Sequence, residues 1–287
     1  MENQTVSLGS VVYWTMPAIE VRYEALVQAW LEQDLDPKLL PKPTGACKAL
    51  HRALDAQKGP RRLPRPLAKG KHWAVVDEEV LGEDDLTHRV VATAKLETID
   101  GVQQKLVVTG NGIAHAIEAG FNAQKELINQ NDLVGLMIAM ARRCLAVTLR
   151  PTGGVYFIPA EGLEFWEKIC TVITRLSPKA VIYGLKPEID PASVRAVLDA
   201  ITAEAESDIA TLNAELKASF DETAPLGVRA LKRRAQAVEA LKAKTASYAS
   251  LLGQTMPDIA QALEGLQIAL CEAQARVEAV EAPGDHA

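Results

Sequence analysis

Apolar residues recur at helical spacing through the last hundred residues of the chain. Near the carboxyl end they alternate in steps of four and three, which is typical of a helix that packs lengthwise on another helix. Two similar segments precede it, and breaks at 223–227 and 253–257, each with a proline and a glycine, separate the three. Short connections favour antiparallel neighbours, so residues 189–282 are predicted to form an antiparallel helical hairpin or a three-helix bundle.

The apolar stripe of the last predicted helix is also our candidate protein interface. Such a stripe must be buried against another protein surface, which belongs either to the same chain or to a second one. The two cases give the same pattern, so the sequence leaves the choice open. The stripe consists of Ile259, Leu263, Leu266, Leu270, Val277 and Val280.

Strand and helix patterns follow one another irregularly over residues 1–188. Val11–Thr15 is β-branched and aromatic, which predicts a buried strand, and three later runs separated by turns predict an antiparallel meander. Because the order lacks the regular βαβ alternation of a doubly wound fold, we predict an α+β domain at 1–188, a helical domain at 189–282 and a frayed tail at 283–287. The meander runs are 73–76, 89–96 and 102–108, and helical spacing occurs at 113–127, 133–145 and 165–176.

Smaller signals predict local structure between these elements. Asp36 before Pro37 is a capping residue with proline at the first helical position, and Thr44 is placed to cap the helix that follows it. Residues 146–158 predict a compact β-hairpin, and 180–185 (AVIYGL) predicts a last strand.

Composition and charge narrow the function classes. The chain has 287 residues, 48% of them apolar, and a net charge of −6, which opposes a general affinity for nucleic acid or anionic membrane. The four cysteines are scattered singly without C-x-x-C spacing, which favours reduced, buried thiols. The polar amino terminus does not resemble a signal peptide, and no window of about twenty apolar residues predicts a membrane span. We therefore expect a cytoplasmic protein that does not bind membranes.

Two basic features leave nucleic-acid binding open as an alternative. A proline-interrupted basic run precedes Trp73, and such a run can follow a phosphate backbone while an aromatic ring stacks on a base. We favour the other interpretation, in which the prolines and cations of this run protect a solvated edge strand against pairing. In addition, a helix at 132–145 followed by the hairpin at 146–158 resembles the order of elements in a winged helix. The nucleic-acid candidates are Lys58, Arg61, Arg62, Arg65, Lys69, Lys71, Trp73, Arg142, Arg143 and Arg150.

The sequence contains no complete catalytic, cofactor or metal motif. The segment Thr109–Phe121 follows a strand and opens a helix, but His115 occupies the third glycine position of a dinucleotide-binding loop. The five histidines show no pair at metal-ligand spacing, and the acidic clusters at 77–79 and 83–85 are typical of solvated turns. We predict no catalytic residue, cofactor or metal, although residues that converge only in three dimensions could still form an enzyme site.

Four segments carry a resemblance to a known family: VVYWTMP, DPKLLPKP, LRPTGGVYFIP and the alanine-rich helical tail. In these segments the chain is similar to a family of uncharacterised proteins from bacteria and their phages. The resemblance implies a prokaryotic or phage origin and transfers no activity. The leading hypothesis is therefore a non-catalytic assembly or adaptor protein that associates with itself or with a protein partner through its long helices.

Overall fold

The computed structural model describes residues 8–68, 71–81, 85–99, 103–110, 112–150, 153–188, 190–220 and 226–281. Some of our predictions concern residues outside these ranges. Lys69, residues 83 and 84 of the second acidic cluster and the tail at 283–287 lie outside the described residues, as does the side chain of Val280.

The described residues form an α+β chain in which every strand pairing is antiparallel, as predicted. The strands are β1 (Gly9–Thr15), β2 (Glu20–Arg22), β3 (Arg62–Ala68), β4 (His72–Val80), β5 (Leu86–Ile99), β6 (Gln103–Gly110), β7 (Leu127–Asn129), β8 (Val147–Thr148), β9 (Val155–Pro159) and β10 (Val181–Leu185). The helices are α1 (Tyr23–Leu31), α2 (Ala46–Asp55), α3 (Ala114–Glu126), α4 (Gln130–Arg143), α5 (Leu163–Leu176), α6 (Pro191–Phe220), α7 (Val228–Leu252) and α8 (Pro257–Glu281).

Internal contacts divide the chain into two compact units, each assembled from separate segments. The first unit comprises Met1–Thr15, Ile138–Glu167 and Val181–Ala287, and the second comprises Met16–Met137 and Lys168–Ala180. The boundary that we predicted at residue 188 lies inside the first unit. The reason is that the long helices share a hydrophobic core with strands from earlier in the chain.

The first unit contains a four-stranded sheet in the order β10-β1-β9-β8 and the three long helices. As predicted from their periodicity, α6, α7 and α8 are separate helices, and their apolar stripes meet in one core. This core comprises Ala205, Ile209, Leu216, Leu231, Val238, Leu241, Ile259, Leu263, Leu266, Leu270 and Ala273.

A second core of the first unit joins the long helices to the β8–β9 hairpin. Tyr248 of α7 is fully buried, and its ring lies 6.3 Å from that of Phe157 in β9. Val197 and Ile201 of α6 belong to the same core, as does Val147 of β8. The carboxyl-terminal helices therefore complete the hydrophobic core of the hairpin.

The second unit is built on the predicted meander, a sheet in the order β3-β4-β5-β6. Helices α2 and α3 cover one face of this sheet, so that Leu50 and Ile117 are buried against Val75 and Leu96. The pairing of β4 with β5 shifts by one residue after Val75, which indicates a β-bulge. The short strands β2 and β7 pair separately.

Two local predictions need correction. Leu127 was expected in the helix that begins near Ile113, but its backbone is extended and it pairs with Arg22 in β7. Thr44 was expected to cap α2, but the cap position is Gly45, and the buried Thr44 hydroxyl instead donates to the Leu127 carbonyl at 2.7 Å. A buried hydroxyl must find an acceptor, and this carbonyl supplies one. The turn at Asp36 is confirmed, since its carboxylate accepts from the Lys38 N–H.

Candidate functional site

The predicted interface residues of α8 lie in the core of the three-helix bundle. Ile259, Leu263, Leu266 and Leu270 are between 1% and 5% exposed, and Val277 packs half-buried against the same core. Their neighbours come from α6 and α7 of the same chain, so the stripe packs within one molecule. A partner cannot reach these side chains while the bundle is folded, and their role in this fold is stability.

A different apolar surface is exposed on β10. Val181, Tyr183 and Leu185 are 41%, 43% and 54% exposed, and they share one face of the strand because successive side chains alternate. The Tyr183 ring stacks on Tyr13 of β1, with centroids 4.7 Å apart and 18° between the ring planes. Cross-strand aromatic pairs stabilise antiparallel neighbours, so this stack holds β10 against β1.

In the described part of the chain, β10 is also an edge strand without the usual protection against pairing. It pairs with β1 on one side, and no described strand pairs with its other side. Natural edges are protected by prolines, charges, shortness or a covering element. Accordingly, β3 contains two prolines, β6 carries Lys105 and β8 is two residues long. From Val181 to Leu185 there is neither a proline nor a charged residue, and we call these five residues the β10 edge.

The β10 edge was missed as a candidate site because the sequence indicated a strand without indicating its position in a sheet. The available signal was the uncharged run VIYGL near the end of a predicted domain. An uncharged apolar run is equally typical of a central, fully buried strand. Only the strand order distinguishes the two cases.

Carboxylates of the same chain neutralise several cations of the basic run. Arg62 donates two hydrogen bonds to Asp77, at 2.6 and 3.0 Å, and they hold the pKa of that carboxyl below its usual value. An open hollow of about 480 Å³ beside this pair is lined by side chains of both signs. A phosphate bound there would have to displace ion pairs that already exist. Further pairs are Lys58 with Asp55 at 2.6 Å, Arg65 with Glu78 at 3.3 Å and Arg89 with Glu79 at 3.4 Å.

The Trp73 ring is partly covered by neighbouring side chains of the same chain. The ring meets that of His51 in an edge-to-face arrangement with centroids 5.5 Å apart. It is half-buried and packs against the core between the meander and α2. The aromatic ring that we predicted to stack on a base therefore packs in part against the hydrophobic core.

The helix of the winged-helix comparison is largely buried. In α4, Leu133, Met137 and Ala141 are fully buried, whereas Arg142 and Arg143 are exposed in the last turn. Recognition helices contact base edges mainly with their amino-terminal residues, so two arginines at the carboxyl end are poorly placed for this role. Arg150 is exposed at the hairpin turn.

A polar cluster around Asp132 holds together the second unit. The carboxylate accepts hydrogen bonds from Arg52 at 2.6 Å and from Lys48, both on α2. Asn129 and Asp132 also exchange backbone and side-chain hydrogen bonds at 3.1 Å, as in a capping box at the start of α4. Burial alone would raise the pKa of Asp132, but these hydrogen bonds outweigh burial and lower it. The cluster ties α2 to the start of α4.

A second polar cluster lies between the long helices and the β8–β9 hairpin. The Lys244 side chain is 11% exposed, and its ammonium donates to the Ala146 carbonyl at 2.8 Å and to Glu204 at 2.5 Å. One turn along α7, the Tyr248 hydroxyl donates to the Leu145 carbonyl at 2.8 Å. Burial raises the pKa of Tyr248, so the hydroxyl stays protonated and remains a donor. Both clusters consist of groups paired with one another, which is the arrangement expected of structural contacts.

The Cys144 thiol and clusters of metal-ligating side chains are two further places to look for chemistry among the described residues. Burial raises the pKa of the Cys144 thiol to about 11, which leaves it protonated at neutral pH and therefore a poor nucleophile. No group of three or more histidine, cysteine, aspartate or glutamate side chains among the described residues is placed to hold a metal ion.

None of the helices in the described part of the chain combines the length and the apolar character that crossing a bilayer requires.

These features define a class: an α+β protein with antiparallel sheets, a helical bundle and paired polar clusters that connect its elements. The model of the Family of unknown function (DUF6744) matches residues 7–279, and the chain belongs to that family. This confirms the resemblance to an uncharacterised family, while the bacterial or phage origin stays a prediction. No curated protein and no solved structure matches the chain.

Proposed function

We propose that the protein is a non-catalytic assembly or adaptor protein whose partner is another protein chain, in the first instance a further copy of itself. The observation that supports this proposal is the β10 edge, where unpaired backbone and exposed apolar side chains coincide. Edges of this kind take up an additional strand when one is available. The proposal replaces the long helices with the β10 edge as the contact surface.

The hydrogen-bond partners and the burial of the polar groups support a binding role in preference to a catalytic one. Catalytic groups combine a shifted pKa with access to a cleft. Asp132 and Lys244 are instead held by partners of the same chain, and the Cys144 thiol is buried. The free state of the cysteines supports a reducing compartment, and the cytoplasm is part of the same proposal.

Sedimentation velocity of the full chain over a broad range of protein concentration tests the proposal. We expect the mean mass to rise with concentration, and to change little with salt, because the β10 edge carries no charge. A monomer at every concentration would refute self-association. A strong decrease in mass at high salt would indicate an ionic interface elsewhere.

Nucleic-acid binding is the competing proposal, and the intrachain ion pairs of the basic run argue against it. A gel-shift titration with mixed DNA and RNA at low and moderate salt separates the two. Phosphate contacts give a steep loss of affinity with salt, so a shift at low salt that disappears at moderate salt would favour nucleic acid. We expect no shift under either condition.

A further inference from the structure

We propose that two copies of the chain pair through their β10 edges, antiparallel and centred on Tyr183, to form one continuous eight-stranded sheet. The inference rests on the proposed function and specifies its partner, its surface and its register. It is carried by the backbone direction of β10, the symmetry of its side chains and the absence of charge along it.

The backbone direction determines which groups are free. The Ser10 hydroxyl on β1 donates to the Leu185 carbonyl at 3.1 Å, so the backbone groups of Leu185 point toward β1. The N–H and C=O of one residue point to the same side of an extended strand, and successive residues alternate. The groups of Ile182 and Gly184 therefore point away from β1, toward the open side of the sheet.

A two-fold axis at Tyr183 brings these free groups together. In that register Ile182 of one copy lies opposite Gly184 of the second copy, and Gly184 lies opposite the second Ile182. Each of these two pairs can exchange two backbone hydrogen bonds, as in any narrow antiparallel pair. The small Gly184 also leaves space beside the branched Ile182, whose side chain lies on the same face.

The exposed side chains have the same symmetry. Val181 lies opposite Leu185 of the second copy, and Tyr183 lies opposite the second Tyr183, all on one face. The stack of Tyr183 on Tyr13 then continues across the axis as a row of four tyrosines. An unrelated strand has no reason to match this arrangement, whereas an identical strand matches it by symmetry.

Charge and area indicate how tight the contact is. The β10 edge carries no charged residue, so two copies meet without like-charge repulsion there although each chain has a net charge of −6. Three half-exposed side chains and five residues of backbone bury less than the roughly 1,200 Å² of a standard stable interface. We therefore expect a weak dimer that forms as concentration rises.

Disulfide trapping tests the register. Cys47 and Cys271 are exposed, contrary to the prediction of buried thiols, and both are first replaced by serine in the full chain. Positions that face each other in a non-hydrogen-bonded antiparallel pair have the short Cα separation that a disulfide needs. Under mild oxidation we expect Tyr183→Cys to form covalent dimers by itself. Val181→Cys and Leu185→Cys should each stay monomeric alone and should form heterodimers when mixed.

A charge at the centre of the edge tests the surface independently of cysteine chemistry. Tyr183→Lys places two like charges opposite each other, and we expect it to abolish the rise in mass over the concentrations at which the wild type dimerises. The matched control is Ile268→Lys, on a residue of α8 that is 61% exposed, and it should dimerise like the wild type. Circular dichroism confirms that both variants are folded.

The outcomes separate this inference from the proposed function. If the wild type associates and Tyr183→Lys associates equally well, the β10 pairing is wrong while self-assembly stands. If Val181→Cys cross-links with itself, the register is wrong. If the wild type is monomeric at every concentration and Tyr183→Cys gives no dimer, both proposals fail.

Discussion

Leu266→Ala distinguishes a core residue of the bundle from an interface residue. Leu266 is 1% exposed, in a core to which all three long helices contribute. The substitution removes three buried carbon groups, which at about 0.8 kcal/mol each amounts to roughly 2.4 kcal/mol of lost transfer free energy. The cavity left behind brings the expected loss of unfolding free energy to about 3–5 kcal/mol. Helix propensity does not offset this loss, because alanine and leucine are both good helix formers.

The assay is urea unfolding followed by circular dichroism, in a Tyr183→Lys background that is expected to be monomeric. Because the core lies within one chain, the unfolding free energy should not change with protein concentration. The matched control is Ile268→Ala on the exposed side of the same helix, which should stay within about 0.5 kcal/mol of the parent. The reasoning is refuted if Leu266→Ala leaves stability unchanged, or if its effect is absent at low protein concentration and appears only as the concentration rises, as it would for a contact between chains.

Three further predictions concern the polar clusters and one close packing contact. Asp132→Asn should lower the unfolding free energy at pH 7 by about 1–3 kcal/mol, whereas the exposed Asp199→Asn should change it by less than about 0.5 kcal/mol in the same urea experiment. Since the folded-state pKa of Asp132 is lowered, its stabilisation is present above about pH 4 and is lost as the pH falls further, so the difference between Asp132→Asn and wild type should shrink there. Gly162→Ala should lower the melting temperature because its new Cβ would lie 2.8 Å from Cys144 atoms, while Gly135→Ala, with open space around it, should raise it slightly. Lys244→Met should cost about 1–3 kcal/mol in urea unfolding, and an unchanged midpoint would show that its hydrogen bonds contribute little.

Elements with a clear period could be predicted from the sequence. The stripes of the long helices and the alternating runs of the meander each depend on neighbours along the chain, and the structure contains α6, α7, α8 and β4 to β6 at the expected places. The capping role of Asp36 could also be predicted, because its carboxylate accepts from the N–H of Lys38, only two residues away. Local patterns carry this information because a helix or a strand repeats its environment every few residues.

Contacts between distant segments could not be predicted in this way. Thr44 is a residue type that often caps helices, yet its hydroxyl donates a hydrogen bond to the carbonyl of Leu127, 83 residues away. The basic run has the composition of a phosphate-binding segment, yet the acidic residues of β4 pair with Arg62 and Arg65. In both cases the role of the side chain depends on which distant group it contacts. Sheet order and helix packing determine that contact.

The position of the helical tail shows why its apolar stripes suggested an interface. The stripes require a partner surface, and the sequence cannot distinguish another helix of the same chain from a helix of a second chain. In the structure, α6 and α7 of the same chain form the surface against which the stripe of α8 is buried. No described strand of the same chain pairs with the open side of the β10 edge. We therefore propose association through the sheet and not through the helices.

The same reasoning explains why contacts of the long helices extend across the boundary predicted near residue 188. Tyr248 and Lys244 lie one turn apart on α7, and their hydrogen bonds reach back 103 and 98 residues, to the Leu145 and Ala146 carbonyls before β8. Phe157 of β9 is fully buried in a core that contains Tyr248. Without the long helices, this core would face water and both carbonyls would lose their side-chain donors. The loss of periodicity near residue 188 thus follows the end of β10, while the compact unit that contains β10 extends through α8.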